Sequence, residues 1–355
     1  MQWTLPFLEL PIVLAPMGGA ATVALVAAVS NAGGFGVLPC AYSTPEQIAT
    51  EVDALRNATS RPFGVNLFVE SPPYVPDDAR IALAHERLRG YREELGIPHP
   101  QRPAVPPDLY QHQVGAIIDA HPDVFTFTFG IPDAETMARL QAARIFTMGT
   151  ATTVDEACAL ERAGVDGIFA QGSEAGAHRG TFLASVEESL VGTLALVPQI
   201  VDATGLPVVA AGGIGDGRGV AAVLALGAQG AALGTSFLLA DESGIAAPYR
   251  AALKSARSTH TVLTRVFSGR TARGIPNRAT AELRDPDDIA PYPFQNAMTR
   301  DVRNAAGAAG NPELLSLWAG QAAPLAREGP AAKIVAALMR EARAALLAAR
   351  ASAAR

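Results

Sequence analysis

Lysine is almost missing from this chain. Only Lys254 and Lys333 occur among its 28 basic residues, and neither ends an apolar, strand-like run. Schiff-base chemistry at a barrel mouth needs an amine at such a position, which excludes a lysine-dependent aldolase type. Cysteine is scarce too. Cys40 and Cys158 form no CxxC pair and no zinc spacing, and are read as reduced, buried thiols of a cytoplasmic protein. The histidines outside the central motif (His85, His99, His112, His121 and His260) show no HExxH or other ligand spacing, so no metal is expected. No basic stripe is present, and the formal charge is −6, which argues against nucleic acid. Gly, Pro or a charge interrupts every apolar stretch before about 18 residues, so no membrane span is expected. The start, MQWTLPFLELP, lacks a basic segment and a small-residue cleavage site.

What is abundant is apolar sequence punctuated by glycine. Of 355 residues, 49% are hydrophobic and only 17% charged, enough for a large core. Eight short apolar runs recur: 11–17, 35–39, 63–69, 124–130, 144–150, 167–173, 207–213 and 230–237. Most are followed by segments of helical period, such as TPEQIATEVDALRNAT, where Thr44 can cap and Glu46 and Gln47 favour the first turn. Runs apolar on both faces and alternating with helices read as buried parallel strands. The expected fold class is α/β, a (β/α)8 TIM barrel. APMGGAAT after the first run does not supply the GxGxxG of a dinucleotide fold. Two segments break the repeat: proline-rich 70–112 and 258–330. Residues 1–69 and 113–257 are expected to form the barrel, with helix 331–355 packed on it before fraying. The other two segments would form a smaller second domain or lid.

Active sites in such barrels lie at the C-terminal strand ends. There, AAGGIGDGRG (210–219) and LGTSF (233–237) suggest a phosphate cradle at Gly212, Gly213, Gly234 and Thr235, helped by a helix N-terminus. Tight turning glycines without a ligand are the alternative. Asn66 and Gln171 close apolar runs, and a primary amide suits the edge of a planar heterocycle; each could equally satisfy a neighbouring loop. Phosphate plus two amides points to a flavin mononucleotide (FMN). In AQGSEAGAHRGTF (170–182), His178 falls at the mouth as a general base or a donor to an anion, or as a loop residue held by Glu174. Arg179 is read as structural, paired with Glu174 or a loop carbonyl.

The chain resembles the nitronate monooxygenases, formerly 2-nitropropane dioxygenases, of bacterial class I. The resemblance is carried by APMGGAAT, VSNAGGFG, VNLFV, AQGSEAGAHRGTF, AAGGIGDGRGVAAVLALGAQGAALGTSF, GRTARGIPNR, YPFQN and LWAGQAAPLAR. It implies non-covalent FMN, contacted at positions matching Asn66, Gln171, Gly176, Gly213 and the stretch Ala232, Leu233, Gly234 and Thr235, with His178 as the catalytic histidine. It implies oxidation of alkyl nitronates, with propionate 3-nitronate the associated substrate, by molecular oxygen to a carbonyl compound and nitrite without NAD(P)H. Ala177 stands where the family often has glycine, and Gly18-Gly19-Ala20-Ala21 varies the first motif. A monomer or homodimer is expected. The rival of the same fold is an NAD(P)H-dependent FMN reductase of enoyl-acyl-carrier or quinone reductase type.

Overall fold

The computed structural model describes residues 5–69, 77–104, 107 and 109–354. Expectations for 1–4, 70–76, 105–106, 108 and 355 lie outside them. Eight strands close a parallel barrel: β1 (Ile12–Leu14), β2 (Phe35–Pro39), β3 (Phe63–Phe68), β4 (Val124–Thr128), β5 (Phe146–Ala151), β6 (Gly167–Gln171), then β8 (Val208–Ala211) and β9 (Gly230–Leu233). The barrel closes where β9 pairs with β1, Val13 opposite Ala232. Between β6 and β8 the chain adds a two-residue strand, β7 (Ala177–His178). It joins β11 (Ala272–Gly274) and β10 (Val262–Thr264) in a small antiparallel sheet that the sequence reading missed.

Strand alternation sets which side chains look inward. Val13, Phe35, Val37, Val124, Met148, Phe169, Val209 and Ala232 share the barrel interior. Their strand neighbours, such as Val65, Leu67, Ile168, Ala170, Ala231 and Leu233, pack outward against the helices. Asn66 lies between Val65 and Leu67, and Gln171 follows outward-facing Ala170, so both amides turn inward near the C-terminal rim.

The helices carry the expected signals. Thr44 and Gln47 form a reciprocal capping box with Pro45 in the first turn, and Ile48, Val52 and Leu55 bury one stripe of helix Pro45–Ala58. Helix Thr193–Ala203 follows residues 182–191, which are held as a loop. Phe182 and Leu183 N–H groups there donate to the Glu156 carboxylate at 2.5 and 3.0 Å. The last helix, Ala331–Ala353, packs on Gly217–Ala225. A Cβ on Gly217 would lie 2.4 Å from the Leu338 carbonyl, so only glycine admits this approach. Burial ends at Ala342, and the helix continues to Ala353.

A second apolar cluster joins Ile81, Ala84 and Leu88 of the segment after β3 to Phe267, Ile275, Met298, Val302 and Leu317 of the extension. Helix Tyr110–Ala120 begins three residues before the expected barrel boundary and packs on Pro45–Ala58. Both cysteines are free; Cys40 is buried, but Cys158 is partly exposed, unlike the expectation. Among the described residues no helix is long and apolar enough to cross a membrane.

Candidate active site

At the C-terminal ends of the strands the barrel opens into a cavity of about 870 Å³. One end is made of backbone. Gly212 and Gly213 follow β8 with φ of +101° and +71°, a region that favours glycine. Gly234 and Thr235 follow β9. No backbone N–H of these four residues donates to a protein acceptor among the described residues. All four residues line the cavity, and their unpaired donors lie on loops after two adjacent strands. The helix N-terminus contributes less than expected. Asp216 caps Gly217–Ala225 with its own carboxylate, accepting from Arg218 N at 2.9 Å and Gly219 N at 3.4 Å, and that acceptor occupies the position an anion would take.

Glu174 buttresses this end. Its carboxylate accepts from Thr193 N at 2.9 and 3.0 Å, and a Cβ on Gly213 would meet its Cβ at 3.2 Å. Among the described residues it hydrogen-bonds neither His178 nor Arg179, although its charge acts on Arg179. Gly176 has no room for a side chain: its Cβ would lie 2.5 Å from Gly320 N. Gly320 N in turn donates to Thr235 Oγ1 at 3.0 Å. The extension therefore seals the Gly176 turn against the strand-nine loop.

The other end is made of side chains. β7 fixes His178 opposite Ala272, and its Nε2 lies 2.8 Å from Ser268 Oγ. Phe68, Phe129, Tyr292 and Trp318 surround the imidazole with centroids 5.6–6.0 Å away. Burial, with the charges of Arg270 and Arg303, holds the His178 pKa down at about 3, so the ring is neutral at pH 7. Ala177, just before it, has φ +60°, which explains why a glycine suits this position.

Gln171 makes the loop contacts that are one of its two readings. Its Nε2 donates to His178 O at 3.0 Å and its Oε1 accepts from Gly180 N at 2.8 Å, so the amide clamps the histidine loop while lining the cavity. Asn66 lines the cavity and donates to Thr126 Oγ1 at 2.8 Å. Arg179 is buried and donates to the carbonyls of Gln171 and Ser189, as a loop-carbonyl partner should. Ala232 lines the cavity, whereas Leu233 does not: alternation turns its side chain out into the helix layer.

Sequence reasoning missed the wall above His178. Tyr42, Asn296, Arg300, Arg303 and Asn304 line the cavity there. Arg303 is aimed by Asn296, whose carbonyl and Oδ1 accept from Nη2 at 2.9 and 3.0 Å. The one carboxylate among the cavity-lining residues, Glu51, has its pKa raised by burial. The cavity thus favours anions. The motif YPFQN flagged this segment, but nothing in it announced which residues reach the mouth.

Fold and cavity together define an α/β-barrel enzyme with its chemistry at the C-terminal mouth. A family model described as nitronate monooxygenase matches residues 2–341. A probable nitronate monooxygenase of Staphylococcus aureus (strain Newman) is 44% identical over 330 residues, 92% of this chain and 93% of that protein. The solved nitroalkane oxidase from Streptomyces ansochromogenes superposes with TM-score 0.90 at 40% identity, covering 96% of this chain and 98% of its own. FabK from Thermotoga maritima gives 0.76 at 27% identity, covering 97% and 96%. The chain belongs to the nitronate monooxygenase family and is an oxidoreductase.

Proposed function

We propose that this enzyme oxidises alkyl nitronates with molecular oxygen to a carbonyl compound and nitrite, using non-covalent FMN and no NAD(P)H. The observation that carries the reading is the pairing of four orphan backbone donors at one end of the cavity with a neutral, caged imidazole at the other. The residues fit FMN. N–H groups of Gly212, Gly213, Gly234 and Thr235 suit its phosphate, and Asn66 and Gln171 lie along the rim between the two ends. When bound, FMN supplies the redox step between an electron-rich nitronate and oxygen. The protein's share is placement, exclusion of water by Phe68, Phe129 and Trp318, and charge. Arg300 and Arg303 attract an anion, and a substrate carrying a carboxylate as well, such as propionate 3-nitronate, suits two guanidinium groups. For a neutral nitroalkane, His178 removes the α-proton. Residues 258–330 form the lid over the mouth, backed by Ile81, Ala84 and Leu88 of the segment after β3.

The test begins with the absorbance of the purified protein, where flavin bands are expected. Anaerobic mixing with a nitronate should then bleach them, and aerobic turnover should release nitrite. Bleaching by NADH instead would replace this reading with the FMN reductase.

A further inference from the structure

His178 is aimed by a residue no motif singled out. Ser268 Oγ lies 2.8 Å from His178 Nε2 and also 3.0 Å from the carbonyl oxygen of Arg270. A hydroxyl has a single proton, and a carbonyl oxygen can only accept. If Nε2 carried a lone pair, the ring and the carbonyl would compete for that proton, and one would go without. If Nε2 carries the hydrogen, the ring donates to Ser268, Ser268 donates to Arg270, and all three groups are satisfied. A lost hydrogen bond at a buried acceptor is costly, so the second arrangement wins. A doubly protonated ring would also donate to Ser268, but burial and the charges of Arg270 and Arg303 disfavour the cation. The only hydrogen bond of the ring among the described residues is the one at Nε2, which leaves Nδ1 without a partner there, and His178 lines the cavity.

We infer that Ser268 is a positioning residue that locks His178 as its Nε2–H tautomer and presents the Nδ1 lone pair to the substrate. This rests on the proposed reading for its chemical consequence, though not for the tautomer itself. The consequence is a definite proton path. Nδ1 takes the α-proton of a neutral nitroalkane, and the C–H electron pair becomes the C=N bond of the nitronate. The ring turns into an imidazolium whose Nε2–H stays on Ser268; burial, Arg270 and Arg303 oppose this cation, so it forms only as an ion pair with the nitronate made in the same step. A preformed nitronate needs no such transfer. Ser268 therefore matters for nitroalkanes and much less for nitronates, a split that general loosening of the loop does not produce.

Long-range ¹H–¹⁵N correlation spectra of the ¹⁵N-labelled holoenzyme, with the His178 ring assigned by its disappearance in His178→Asn, read the tautomer directly. A protonated Nε2 and a bare Nδ1 are expected at pH 7. Ser268→Ala should shift the ring toward the other tautomer and lower kcat on neutral nitroalkane about 10- to 100-fold, with a smaller change on preformed nitronate. Ser268→Thr, which keeps the hydroxyl, should restore both. A wild-type ring protonated at Nδ1 overturns the inference, as does a tautomer that Ser268→Ala leaves unchanged. If the spectra agree but neither substrate turns over, the reading of the activity fails while the tautomer stands.

Discussion

The two ends of the cavity are built on different principles. The end at Gly212, Gly213, Gly234 and Thr235 uses main-chain N–H groups on loops directly after adjacent strands β8 and β9. Any sequence that keeps the turn keeps the donors, so this end fails when a Cβ intrudes. The end around His178 is assembled from side chains of Phe68, Ser268, Tyr292, Arg303 and Trp318, separated by up to 250 positions (318 minus 68). It fails one function at a time, as each side chain is lost. The contrast suggests that anchoring and chemistry can be separated by mutation.

The largest effect should come from His178→Asn. The variant is expected to keep its flavin absorbance and lose about 10²- to 10⁴-fold in turnover. A variant that lost the cofactor along with activity would break the separation of the two ends. Gly213→Val strikes the opposite end. At φ +71°, with Glu174 Cβ 3.2 Å from the new Cβ, the backbone pays about 1–3 kcal/mol in strain. The purified variant should be largely free of flavin, and normal occupancy would remove Gly213 from the anchor. Arg303→Met sharpens the side-chain end: KM for a carboxylate-bearing nitronate should rise about 10- to 100-fold, matching a lost charged hydrogen bond of roughly 1.5–3 kcal/mol. An equal rise for a neutral-chain nitronate would deny Arg303 its part in recognising the second charge.

Two smaller effects concern the frame between the ends. Burial alone would raise the pKa of Glu156, but hydrogen bonds from Thr152, Leu183 and Phe182 outweigh it and leave it lowered. Its stabilisation is therefore complete above the ordinary carboxylate range and disappears as pH falls through the lowered folded value. Glu156→Gln should cost about 1–3 kcal/mol at pH 7 by denaturant unfolding, with the gap to wild type narrowing in acid. A gap that stayed constant with pH would mean the carboxylate charge is irrelevant there. Ala177→Gly should be the mildest change. Relief of left-handed strain, about 1–2 kcal/mol, is set against the greater freedom of glycine in the unfolded chain. A small gain in Tm is expected, with the His178 loop unchanged. A clear loss of stability would show that Ala177 is not strained.

Sequence by itself determined the barrel. All eight apolar runs became its strands because burial on both faces leaves an unbroken hydrophobic record, and the cap at Thr44 is a matter of residues three apart. It also marked the glycine end, since Gly212, Gly213 and Gly234 follow their strands immediately. Tertiary structure decided the rest. A two-residue strand such as Ala177–His178 has no period to read, and its partner Ala272 lies 94 positions on (272 minus 178). Ser268, Arg303 and Trp318 look like ordinary loop and helix residues until chain closure brings them to one imidazole. The outward turn of Leu233 likewise followed from strand phase, not residue type. Periodicity encodes which face is buried over a few residues, whereas a site of side chains from distant segments exists only once the chain has folded.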